Sequence, residues 1–248
     1  MLKLRLEHYH DAYMLGEILR SGAYEPEVTA LLLHRFKQGD VFLDVGSNNG
    51  YFAIIAAAMV GKGGRVMAFE PSGSALERLR DNVLLNGDVG NVVTVCGMAL
   101  SDRNGKMSLM ESKTSDAWSS LSATAGEKTV EATRFDSMFP NAVVNIAKID
   151  VEGHELQVIM GMRETIMTNQ GIGLVVEWTP DREEAADLFR FLNFELGMSI
   201  FVIRSHSRPP FYVLEPACHI NDLDYDCNIW CEKKNNPEKP FVIPQLHR

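Results

Sequence analysis

The chain has 248 residues, with 33 acidic against 24 basic side chains and a net charge of −9. That length suits one α/β domain with a short N-terminal extension, and 46% hydrophobic with 23% charged residues is ordinary for a soluble globular protein. The acidic balance argues against nucleic acid as a partner, because backbone binding needs clustered Lys and Arg. No apolar run approaches a membrane span, and MLKLRLEHYHDAY lacks the apolar core of a secretory signal. No membrane partner and a cytoplasmic location are therefore expected.

In chain order, Glu7–Leu19 and Glu27–Phe36 read as amphipathic helices, the second through Val28, Leu31, Leu32 and Phe36. They place residues 1–38 as a helical extension of the same domain. The segment Val41 to Phe52, VFLDVGSNNGYF, then reads as a buried strand, a glycine turn and the opening of a helix. Val41, Phe42, Leu43 and Val45 form the near-continuous apolar run of a strand covered on both faces. Asp44 interrupts it near the carboxyl end, where open α/β sheets place their ligands. Gly46 and Gly50 allow close backbone approach, and the helix from Tyr51 offers free N–H groups.

The spacing discriminates between ligands. A dinucleotide fingerprint would read G-x-G-x-x-G, whereas this chain has Gly46-Ser47-Asn48-Asn49-Gly50. An acidic residue at the strand end would repel a pyrophosphate but suits an amino-acid-like group with its own ammonium. A second strand, Arg65–Phe69, ends in Glu70, whose carboxylate can accept hydrogen bonds from ribose hydroxyls. Strand, D-x-G-x-N-x-G, helix, strand and Glu together favour S-adenosylmethionine over NAD.

A helix over Ser74–Asn86 stops at Asn86-Gly87, and strand Val92–Cys96 leads into Ala99-Leu100-Ser101-Asp102. The alternation then breaks. Lys106–Met110 and Thr129–Thr133 read as short strands around a polar segment, Glu111 to Lys128, that contains Trp118-Ser119-Ser120-Leu121. A polar insertion of this length inside a domain is functional or mobile. Strand Ala147–Val151, helix Glu155–Thr168, strand Gly173–Trp178, helix Arg182–Leu192 and closing strands at Met198–Ile203 and Asp226–Glu232 complete the order. This is a Rossmann-like α/β layout. Cys96, Cys218, Cys227 and Cys231 form no disulfide pattern; core packing suits them better than a Cys/His metal site beside His219.

The segment Ala147 to Gly161, AKIDVEGHELQVIMG, resembles the signature of the FkbM family of S-adenosylmethionine-dependent methyltransferases. The order DVGSNNGYF, FEPSGSALERLRDNVLLNG, ALSD, KIDVEGHELQVIMG and VVEW resembles it too, from about Gly39 to Glu232. The resemblance implies a class I methyltransferase fold: a mostly parallel seven-stranded sheet with an antiparallel last strand and helices on both faces. It sets a methyltransferase domain at 39–234, a tail at 235–248, and O-methylation of a small molecule (a natural product of secondary metabolism) or a sugar.

Those motifs carry specific expectations. Asp44, Gly46, Ser47, Asn48 and Gly50 would hold the methionine end of the cofactor, and Glu70 with Pro71 the ribose. Ala99, Leu100 and Ser101 would border the adenine, and Asp150 could also contact the cofactor. Removing a proton from a hydroxyl needs a base, and His154, with an ordinary pKa near ~6.5, is the expected one, alongside Asp150 and Glu152. Trp118, Ser119, Ser120 and Glu177 are the acceptor candidates; the resembled family has an S-S-L element near its active site. No metal set is assigned, although Asp150, Glu152 and Glu177 could bind magnesium through oxygen. N-methylation, nucleic-acid methylation, NAD-dependent oxidoreduction and non-catalytic cofactor binding stand as alternatives, and a homodimer stays open.

Overall fold

The structure is a computed structural model that describes residues 1–6, 11–110, 120–122 and 128–234. Two helices open the chain, α1 (Ala12–Ser21) and α2 (Pro26–Arg35). An alternating series follows: β1 (Val41–Val45), α3 (Tyr51–Val60), β2 (Arg65–Phe69), α4 (Gly73–Leu85) and β3 (Val93–Cys96). Four short strands come next, β4 (Ala99–Leu100), β5 (Gly105–Met110), β6 (Ser120–Ser122) and β7 (Lys128–Thr133), then helix α5 (Phe135–Met138). The series resumes with β8 (Ile146–Ile149), α6 (Glu155–Gly161), α7 (Arg163–Thr168), β9 (Gly173–Trp178) and α8 (Ala185–Arg190). It closes with β10 (Met198–Ser205), β11 (Tyr212–Pro216) and β12 (Cys227–Lys233).

The main sheet has the order β11-β10-β12-β9-β8-β1-β2-β3. Strands β3, β2, β1, β8 and β9 pair in parallel, whereas β12 pairs antiparallel with both β9 and β10, and β11 antiparallel with β10. The sheet thus has eight strands, one more than expected. The segment from Ser205 to Tyr212 reads as loop in the sequence, but the chain turns back and pairs Tyr212–Pro216 with Phe201–Ser205. Tyr212 anchors this edge: it is buried, and its hydroxyl meets His34 Nδ1 of α2 at 3.0 Å. The remaining strands form a second sheet of order β4-β7-β5-β6.

Period-two alternation explains why the central strands are apolar throughout. Leu43, Val45, Met67, Phe69, Ala147, Ile149, Leu174 and Val176 belong to one buried cluster, with residues of α6, α7 and α8. Phe42, Val66, Ala68, Ile146 and Val175 belong to the other, with residues of α2 and α3. The helix expected over Glu155–Thr168 is divided at Met162, whose backbone leaves the helical region at φ −108° and ψ 8°, and the adjacent Gly161 lies against the Ser101 carbonyl, where a Cβ would overlap it.

Successive strands run outward from β1 in one direction as β2 and β3 and in the other as β8 and β9. Chain order therefore reverses between β1 and β8, and the crevice at their carboxyl ends is where such sheets bind ligands. Register makes those ends level: Val45 lies opposite both Phe69 and Ile149. Gly46, Glu70 and Asp150 consequently share one rim. Among the described residues no helix is long and apolar enough to cross a membrane.

Candidate active site

The turn after β1 is built on backbone conformation. Gly46, Asn48 and Gly50 all have positive φ, at 81°, 46° and 90°. Glycine takes this region without penalty and Asn tolerates it better than most, which accounts for the G-x-N-x-G spacing. The amides of Gly46 and Ser47 both donate to the Phe69 carbonyl at 3.0 Å, locking the turn to the end of β2. A Cβ on Gly46 would overlap the Asp150 carbonyl oxygen. The closest approach of the two central strand ends therefore requires glycine.

Glu70 faces this turn. Its carboxylate accepts from the Asn48 amide at 2.8 Å and the Ser72 amide at 2.9 Å. Burial pushes its pKa up to about 7, against the pull of those two amides. Asp44 is buried beneath the turn; burial raises it to about 6, with Lys148 pulling the other way. Asp44 Oδ2 and Asn48 Oδ1 are buried without a hydrogen-bond partner in the protein. Orphaned acceptors of this kind call for a donor from a ligand or water. Of the two, Asn48 lies on the cavity wall, where its acceptor fits the ammonium end of S-adenosylmethionine, and Glu70 retains lone pairs for a ribose.

Across the crevice the chemistry changes to side-chain ions. Lys148 lies on β8 opposite Asp44, with its ammonium 2.6 Å from Asp150 and 3.8 Å from Glu25, and 4.6 Å from the Phe52 ring centroid. Burial disfavours that charge, but Asp150 and Glu25 outweigh it and hold Lys148 above the ordinary lysine pKa. Glu25 precedes α2 with φ 40° and is pushed up by burial despite Lys148. A lysine inside the apolar run Ile146–Ile149 is a sequence signal that was there to be read: a buried ammonium demands carboxylate partners.

The second ionic group centres on Arg182, in the segment between β9 and α8. Its guanidinium donates to Glu155 and Glu177 at 3.1 Å and to Glu152 at 3.2 Å. Glu152 has φ 53°, followed by Gly153 at 100°. A left-handed glutamate is uncommon and marks stored strain of the kind found at functional sites. Burial and the neighbouring Asp150 raise Glu152 to about 7, with Arg182 opposing; burial, Asp150 and Glu152 raise Glu177 as well. Glu155 also accepts from the Val151 and Gly153 amides at 3.2 and 3.0 Å, which closes the turn leading into α6.

These walls enclose a cavity of about 730 Å³. Of the residues singled out in the sequence, Gly46, Ser47, Asn48, Glu70, Pro71, Ala99, Leu100, Asp150, Glu152 and Glu177 line it. Asp44, Gly50, Ser101 and His154 do not. His154 is buried, with Nε2 2.9 Å from Ser101 Oγ. Burial lowers its pKa to about 4, against Asp102. His154, expected as the general base, stands at the N-cap position of α6 without a side-chain cap hydrogen bond, its imidazole turned to Ser101 and outside the cavity lining. Trp118 and Ser119 lie outside the described residues, and of Ser120 the backbone alone is described, in β6.

Sequence reasoning passed over several wall residues, namely Tyr13, Tyr24, Glu25, Tyr51, Lys148 and Arg182. It also passed over Asn49, fully buried, whose side-chain amide donates to Asp11 at 2.9 Å and whose carbonyl accepts from Asn82 at 2.9 Å. That asparagine ties the glycine turn to α1 and α4.

Comparison with known proteins agrees with this geometry. A family model described as "Methyltransferase FkbM domain" matches residues 44–200, more than half of the chain. The hexuronic acid methyltransferase AglP of Haloferax volcanii is 31% identical over 147 residues, which are 58% of this chain and 59% of that protein. The chain thus spans about three fifths of that curated relative. Among solved structures, methyltransferase FkbM from Methylobacillus flagellatus superposes with a TM-score of 0.55 at 17% identity, covering 79% of this chain and 44% of that one. The O-methyltransferase TomG from Streptomyces achromogenes, solved with S-adenosylmethionine, gives 0.52 at 12% identity over 94% and 92%. At such identities the structures share the fold.

Proposed function

Because this chain belongs to the FkbM methyltransferase family, we propose that it transfers a methyl group from S-adenosylmethionine to a hydroxyl of a small molecule or sugar. The observation that carries the reading is the turn Gly46–Gly50 facing buried Glu70, with an orphaned acceptor on Asn48 at the cavity wall. The curated relative is named for hexuronic acid, a sugar acid, which supports a sugar acceptor without fixing its charge.

When bound, the cofactor supplies an electrophilic methyl on a sulfonium. Gly46, Ser47 and Asn48 hold its amino-acid end, Glu70 and Pro71 its ribose, and Ala99 and Leu100 border its base. The carboxylates at the β8 and β9 ends face the other half of the cavity, where an acceptor hydroxyl must lie in line with the methyl. Glu152 is the proton acceptor: its strained backbone commits the carboxylate to the cavity, and a pKa near 7 suits a general base at working pH. Lys148 pairs with Asp150 beside it, and Arg182 fixes the orientation of Glu152.

A magnesium-assisted route is the second reading, because ligand atoms of Asp150, Glu152 and Glu177 lie within 4.8 Å of one another. Arg182 already bridges two of those three, so a metal would have to displace it. Turnover unaffected by chelation discards that route.

Calorimetric titration with S-adenosylhomocysteine, with NAD as the control, tests the main proposal. Micromolar binding of the first alone is expected, weakened at least about tenfold by Glu70→Ala. Binding of NAD instead, or of neither, would sink it.

A further inference from the structure

We infer that the acceptor half of the cavity rejects negative charge, so that the methyl acceptor is an uncharged hydroxyl compound rather than a uronate or a phosphate ester, with Glu152 and Glu177 as determinants because they neutralise Arg182. The inference rests on the methyltransferase reading above and adds the acceptor's charge class.

Among the described residues, eight carboxylates line the cavity: Glu17, Glu25, Glu27, Glu70, Asp150, Glu152, Glu177 and Asp226. Against them stand three cations, Lys148, Arg182 and Arg204. Each of the three is already engaged. Lys148 is held by Asp150 and Glu25. Arg182 is held by Glu152, Glu155 and Glu177. Arg204 Nε donates to Glu215 at 2.7 Å, and its guanidinium lies 4.5 Å from the Tyr225 ring centroid. Among the described residues, no cation lining the cavity lacks a carboxylate partner.

At Lys148 and Arg182 an anionic acceptor would gain a cation only by displacing a protein carboxylate. That exchange leaves the displaced carboxylate partly buried and unpaired, which is costly, whereas Arg204 sits with Glu215 at the exposed rim. Burial and mutual repulsion already push the carboxyls of Glu25, Glu152 and Glu177 up, and a further negative charge among them meets the same repulsion where screening by water is reduced. A neutral polyhydroxyl acceptor meets the opposite situation. Carboxylates only accept hydrogen bonds, hydroxyls can donate them, and no charge must be moved. The rings of Tyr13, Tyr24 and Phe52 offer apolar surface to the carbon faces of a sugar.

The test anchors a matched pair of probes in the cofactor site, so that no acceptor need be known. Two analogues of S-adenosylmethionine, with the S-methyl replaced by 2-hydroxyethyl or by carboxymethyl, are titrated into the full chain beside S-adenosylhomocysteine. The hydroxyethyl analogue should bind at least about tenfold tighter than the carboxymethyl one. In Glu177→Gln, where Arg182 loses a counter-charge, the gap should narrow by at least about threefold. Equal affinities, or tighter binding of the carboxymethyl analogue, would overturn the inference. So would binding of S-adenosylhomocysteine with neither analogue, since the space beyond the sulfur would then admit no acceptor group. An unchanged gap in a folded Glu177→Gln removes Arg182 and its glutamates as the cause; if that variant misfolds, the wild-type comparison decides by itself. Failure of S-adenosylhomocysteine itself refutes the cofactor assignment instead, which keeps the two failures apart.

Discussion

The two halves of the cavity solve different physical problems. The half at the ends of β1 and β2 is made of backbone: three positive-φ positions, amides donating to one carbonyl, and a glycine where a Cβ cannot fit. The half at the ends of β8 and β9 is made of side-chain charges, drawn from Glu25 before α2, from β8 and its turn, and from β9 and the segment after it. A backbone-built wall is fixed by short-range geometry and serves a ligand that never changes. A wall of paired charges is set by tertiary contacts and is where members of one fold can differ in what they accept. That contrast matches a constant cofactor opposite a variable acceptor.

Changes on either side should break the site in different ways. Glu152→Gln removes the proposed proton acceptor while keeping its hydrogen bonds to Arg182. Methyl transfer to an accepted neutral glycoside should fall about 10²–10⁴-fold, with S-adenosylhomocysteine affinity nearly unchanged; a parallel loss of affinity would place Glu152 in the cofactor half instead. Lys148→Met leaves Asp150 and Glu25 partly buried without their cation. Urea unfolding should show a loss of about 3–5 kcal/mol, and a fully stable variant would mean that the acceptor wall does not depend on that pairing. Gly46→Ala acts on the other wall, where both φ and the Asp150 carbonyl oppose a methyl group. S-adenosylhomocysteine affinity should drop by more than about a hundredfold, close to 3 kcal/mol, in calorimetry on folded protein.

The smallest effect sharpens the boundary of the site. His154 is held neutral, with its pKa lowered to about 4 by burial. The unfolded chain binds a proton there below the ordinary value near ~6.5, so His154 contributes stability that is complete above that pH and lost as pH falls toward 4. His154→Asn should flatten this acid-side slope in thermal unfolding and change turnover by less than about threefold. A collapse of turnover at unchanged stability would restore the imidazole as a base.

Much of the first wall was legible because its requirements are local. D-x-G-x-N-x-G reports backbone conformations residue by residue, the apolar run of Val41–Val45 reports burial on both faces, and Glu70 ends the next strand at a fixed distance along the chain. The second wall was legible in part. Asp150, Glu152 and Glu177 stand out as acids at strand ends, yet which of their neighbours turns inward depends on Gly153, and that sent His154 the other way. Arg182 and Glu25 carry no local signal, since each has meaning only beside partners distant in sequence.

The sequence by itself determined the alternating α/β order, the glycine turn after β1 and the acids at the strand ends, because periodicity and glycine placement are short-range properties of the chain; the family followed from the likeness of whole motifs. Tertiary structure alone decided the eighth strand, the burial of His154 and the pairing of every cavity cation, because these depend on which distant side chains are brought to within a few ångströms of one another.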